Sequence, residues 1–147
     1  MMRSIIAILR LYFIHIFAFF AVGLSMYYPP WDIVLAILYL TIIGREACSL
    51  RNLTTKTKVS IILTWQGPAV LLLILILSGI TFLDIKNYSF FIMLFWYTPL
   101  LPFLSVLPRL VINGLPLYYY ILLSLPFFMS IFHFLLSRKK KVYKYFR

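Results

Sequence analysis

From Val59 to Leu83 the chain reads VSIILTWQGPAVLLLILILSGITFL, 25 residues without a charged side chain. As a helix rising about 1.5 Å per residue, such a run exceeds the ~30 Å hydrocarbon core of a bilayer. Backbone in hydrocarbon must satisfy its own hydrogen bonds, which a helix does within one segment. The run therefore reads as a membrane span, and other segments resemble it. Hydrophobic residues make up 64% of the 147-residue chain and charged residues 12%, against about 45–50% and 25% in an ordinary soluble domain. A sphere of this size cannot hide so much apolar surface from water. The expected fold is an all-α integral membrane protein, a small helical bundle forming a single transmembrane domain over residues 1–137.

The spans are read at about 4–28, 30–50, 59–83 and 115–136. The first resembles a secretory signal, with Ala21 and Gly23 spaced like a cleavage site. Arg10 interrupts it, however, and its apolar character continues to Met26, so it reads as a retained span. It closes with Tyr27-Tyr28-Pro29-Pro30-Trp31, aromatics suited to the headgroup layer and prolines that end one helix and can start the next. Asp32 then falls in a first helical turn, where negative charge is favoured. A tight hairpin of the first two helices follows.

The segment at 89–108 is different. It is long enough to cross, yet it contains Pro99, Pro102 and Pro108, each of which removes a helical hydrogen bond. Freed backbone survives at membrane depth only where protein or a watery cavity covers it. Asn113-Gly114 then marks a turn before the last span.

Charge decides how many segments cross. The 14 Lys and Arg face only three acids, for a net charge of +11. With five crossings, Arg3, Arg10, Arg45, Arg51, Lys56, Lys58 and Arg109 share one side. Lys86 and the six tail residues Arg138, Lys139, Lys140, Lys141, Lys144 and Arg147 take the other, an even division of seven and seven. If 89–108 enters and leaves by the outer face, twelve bases lie inside and two outside. Cytoplasmic flanks are the ones enriched in Lys and Arg. The expectation is thus four transmembrane helices plus a proline-broken re-entrant or tilted segment, with five transmembrane helices as the alternative. Both termini are then cytoplasmic, in a multi-pass protein of a cell membrane, a bacterial inner membrane by its size and charge.

Few residues can carry chemistry. Ionisable and strongly polar groups inside spans are candidates because burying them is costly. Arg10, His15, Glu46, Gln66 and His133 form the candidate structural or ligand cluster, all in the inner half or near the midplane. Arg10 can snorkel or pair with Glu46 across the hairpin. Gln66, beside Gly67-Pro68, can bond between helices. A haem between His15 and His133 would need two imidazoles at matched depth, and these two differ by several residues. A proton relay is the other reading of the pair. The three acids, Asp32, Glu46 and Asp84, fall on different faces, the five glycines are isolated, and Cys48 is alone. No paired-acid, triad or phosphate-loop arrangement results, and neither enzyme activity nor a cofactor is expected.

The tail at 138–147 interleaves its six bases with Tyr143, Tyr145 and Phe146. It reads as a cytoplasmic segment contacting anionic headgroups; nucleic acid would need a folded platform. The expected function is non-enzymatic. Lateral contacts with a membrane-protein partner would make the chain an accessory, assembly, regulatory or immunity-type protein. The alternative is a small oligomeric transporter or channel using the broken segment and the polar cluster.

Overall fold

In a computed structural model, residues 2–28, 30–78, 85–108 and 110–138 are described. They form helices α1 (Met2–Ser25), α2 (Trp31–Ser49), α3 (Thr55–Leu77), α4 (Ile85–Trp96), α5 (Leu101–Ser105) and α6 (Leu117–Leu136). Short 3-10 turns occupy Leu50–Asn52 and Thr98–Leu100, and two-residue strands β1 (Val111–Ile112) and β2 (Leu115–Pro116) precede α6. Four helices, α1, α2, α3 and α6, are long and apolar enough to cross a membrane. The pair Asn87–Trp96 and Thr98–Ser105 adds a fifth if counted as one span, although it is bent by 62°.

Local chemistry explains the boundaries. Thr54 has extended backbone and its hydroxyl accepts from the Thr57 amide, a side-chain N-cap. This cap starts α3 at Thr55, so Lys56 and Lys58 lie on the helix instead of before it. Within α2, Asp32 accepts from the Ile33 amide at 2.8 Å. Asn113 and Gly114 have φ of +50° and +78°, the left-handed pair that a tight hairpin turn requires. That turn pairs Ile112 with Leu115 and Val111 with Pro116. The hairpin is an addition to the all-helical expectation, and it delays the last helix from 115 to Leu117. The expected end of the third span at 79–83 lies outside the described residues, as do Pro29, Asp84, Arg109 and the tail from Lys139.

Contacts at the two ends set the order of the helices along the bundle. The Arg51 Nε donates to the Leu136 carbonyl at 3.1 Å, and the Lys58 Nζ donates to the Ser137 carbonyl at 2.7 Å and to the Arg51 carbonyl at 3.0 Å. The last turn of α6 therefore rests on the α2–α3 connection. At the opposite end, the Phe90 ring stacks on Tyr119 at 4.6 Å, so α4 and α6 begin together. Between them the chain reaches only mid-depth. The Tyr97 hydroxyl bonds Gln66, about halfway along α3, and the Trp96 carbonyl bonds His15, about halfway along α1. The broken segment thus starts and finishes at one end of the bundle. The basic stretch from Arg45 to Lys58 and the start of the tail at Arg138 share the other.

The core is apolar, with Leu11, Ile43, Ile61, Trp65, Met93 and Leu122 wholly buried. Gly44 permits close packing of α2 on α6, because a Cβ there would meet Leu136 Cδ1 at 3.2 Å.

Candidate functional site

The site is the proline break and the side chains that seal it. Pro99 has no amide, so the Phe95 carbonyl one turn earlier loses its helical partner. The Thr98 hydroxyl donates to it at 2.8 Å. The Leu100 amide has turned to the Tyr97 carbonyl at 2.8 Å, which leaves the Trp96 carbonyl open. His15 Nε2 fills that vacancy at 2.9 Å. Pro102 would have bonded the Thr98 carbonyl, and the Leu101 amide does so instead. Each of these freed acceptors is met by protein, as low-dielectric surroundings demand.

His15 is fixed from both sides. A carbonyl only accepts, so Nε2 carries the proton and Nδ1 accepts from the Tyr39 hydroxyl at 2.8 Å. Its ring also lies 4.4 Å from the Trp96 ring. This links α1, α2 and the break in one contact set. On the other flank, Tyr97 donates to Gln66 Oε1 at 2.7 Å, and both residues are almost wholly buried. Pro68 repeats the pattern inside α3. It strips the Thr64 carbonyl of its partner, and the Tyr12 hydroxyl donates there at 2.8 Å.

The five polar residues expected from sequence are therefore not one cluster. His15 and Gln66 flank the break. His133 is wholly buried against Trp65, ring centroids 5.7 Å apart. Trp65 also lies 6.4 Å from His15, so the indole contacts both imidazoles. With both its nitrogens engaged, His15 offers no lone pair to an iron, and a haem shared by the two histidines does not fit. Arg10 and Glu46 stand apart near the basic end. Arg10 Nη2 and Glu46 Oε2 are 3.4 Å apart, an ion pair that falls short of a hydrogen bond. The Arg10 side chain is 51% exposed. Of the three prolines, Pro99 and Pro102 are buried at the break, while Pro108 is exposed beyond α5. Arg138 places its guanidinium over the Phe134 ring at 5.3 Å. The headgroup contacts expected of Lys139, Lys140, Lys141, Lys144 and Arg147 lie outside the described residues.

Several polar atoms in this region are buried without a hydrogen-bond partner among the described residues: Gln66 Nε2, the indole nitrogens of Trp65 and Trp96, and both His133 nitrogens. Among the described residues, no three or more His, Cys, Asp or Glu come together as a metal site. Sequence reading missed Tyr39, Tyr97 and Lys58. Tyrosines in a span look like bilayer residues, and Lys58 looks like a flank charge. The one available signal was the proline break itself, which announces carbonyls in need of donors. Comparisons with models of protein families, with curated proteins and with solved structures find no match to this chain.

Proposed function

We propose that this chain is a multi-pass protein of a cell membrane with four spanning helices and one re-entrant segment. Both termini are cytoplasmic, and twelve of the 14 basic residues lie on that side. The shared end of the two basic stretches supports this orientation, because anionic headgroups and the positive-inside bias act on both together. Its role is non-enzymatic. It acts through lateral contacts as an accessory, assembly, regulatory or immunity-type protein.

The observation that carries this reading is the sealed break. A gate or transport path needs backbone or polar groups offered to a cargo. Here His15, Thr98 and Leu101 consume the freed carbonyls within the chain. A locked re-entrant segment holds a fixed outer surface, and α1 exposes Phe13, Phe17 and Phe20 along its side. A contrary observation favours transport as a second reading: Gln66 Nε2 and both His133 nitrogens are buried without a hydrogen-bond partner among the described residues, and intramembrane polar groups often mark a pathway.

Affinity purification in a mild detergent separates the two readings. Lateral function predicts a stoichiometric membrane-protein partner that survives washing. A homo-oligomer that conducts ions or solute in liposomes, without such a partner, would replace it with the transport reading.

A further inference from the structure

An apolar slot of about 560 Å³ opens between α2, α5 and α6. Its α6 wall is Ile121, Ser124, Leu125, Phe128, Met129 and Phe132, spaced three and four apart and so on one stripe of that helix. The stripe runs roughly 16 Å, at 1.5 Å per residue. Leu40 of α2 and Leu100 at the break form the facing side. The space remains because α5 stops after five residues, too short to run alongside α6 as a full helix would. Towards the hairpin the slot continues into a hollow of about 450 Å³, with Leu104 and Leu107 lining both. The lining there becomes mixed, with Ser105 and Tyr118 beside Pro108 and Val111.

Water is a poor occupant of the slot. A buried water needs two to four polar partners, and the one hydroxyl on this wall, Ser124, already donates to the Ile121 carbonyl at 2.7 Å. The geometry points to a site for one acyl chain of a membrane phospholipid, lying along α6 with its polar head at the Ser105–Tyr118 mouth. Three features agree. The slot's length is close to the ~15 Å half-thickness of the hydrocarbon core. Its axis follows a helix of spanning length, the direction in which lipid chains lie. Its polarity changes from apolar inside to mixed at the hairpin end, in the same order as a lipid. This assignment rests on the bundle being embedded in a bilayer, as proposed above.

The test is native mass spectrometry of the full chain, purified from membranes in mild detergent. One phospholipid per chain should survive delipidation. Ser124→Phe, at an exposed position lining the slot, should lower the lipid-bound fraction at least ten-fold. Phe127→Trp, exposed on α6 but outside the slot, should leave it unchanged. If Ser124→Phe does not give a monodisperse protein, Ile121→Trp narrows the same slot and carries the same expectation. Undiminished lipid in a folded slot variant would overturn the proposal, as would a lipid-free dimer that the slot variant dissociates. Release of the chain from membranes by alkaline carbonate without detergent would overturn the membrane reading, and the lipid site with it. Retention in membranes with unaltered lipid binding in the variant overturns the lipid site alone.

Discussion

His15 shows how one side chain can hold a break in place. It replaces the amide that the Trp96 carbonyl lost, and Tyr39 holds the ring in the orientation this needs. Leaving a buried acceptor unmade costs about 1–3 kcal/mol, more than an average hydrogen bond contributes. His15→Phe leaves both the Trp96 carbonyl and the Tyr39 hydroxyl unpaired and should lower stability in detergent by more than Tyr39→Phe, which keeps the carbonyl bonded, strands His15 Nδ1 alone and should cost about 1–3 kcal/mol. Thermal unfolding of the purified variants checks the order; a Tyr39→Phe loss as large as that of His15→Phe would mean that ring packing outweighs the carbonyl bond. Arg10 and Glu46 call for a smaller figure. A fully buried pair broken on one side loses about 3–5 kcal/mol, but Arg10 is half exposed and its contact is long. Exposed pairs contribute about 0.2–1 kcal/mol. A double-mutant cycle with Arg10→Leu and Glu46→Leu should give a coupling below about 1 kcal/mol, and a coupling above 2 would show that the bilayer desolvates the pair.

At the scale of the element, the long charge-free runs made the four main helices legible, and three closely spaced prolines made the break legible. The partners that seal the break were not legible. Which donor reaches a freed carbonyl depends on how each helix is rotated, and Tyr39, Tyr97 and Tyr12 carry no mark that separates them from lipid-facing aromatics. Lys58 is a similar case: its partner Ser137 is 79 positions away, and from sequence both cluster lysines looked alike. Position on α3 divides them. Lys56 is exposed, while Lys58 is buried and donates to the Arg51 carbonyl and to the Ser137 carbonyl at the α6 C-terminus, where cations are favoured. Lys58→Met should cost about 1–3 kcal/mol by leaving those carbonyls unpaired. Lys56→Met should stay within about 0.5 kcal/mol, as surface changes usually do. Both are measured by thermal unfolding in the same detergent, and equal effects would show that Lys58 is solvated and not a cap.

For the whole molecule, the proposed topology has the segment from Ile85 to Pro116 enter and leave by one face. The even charge division of the five-span alternative gave it no orientation, and the contacts of Arg51 and Lys58 with the end of α6 join the two basic stretches that five crossings would separate. The hairpin turn at Asn113-Gly114 is the point where the two topologies differ most, being exposed at the end opposite those contacts. Replacing Cys48, the single native thiol, by Ser clears the background. Asn113→Cys then supplies one thiol at the turn, and Ile74→Cys, within α3 on its exposed side, serves as the lipid-shielded control. An impermeant thiol reagent added to intact cells should label position 113 and leave position 74 unlabelled. Labelling of position 113 only after the cytoplasmic face is opened would mean that the broken segment crosses, and would overturn the four-span topology.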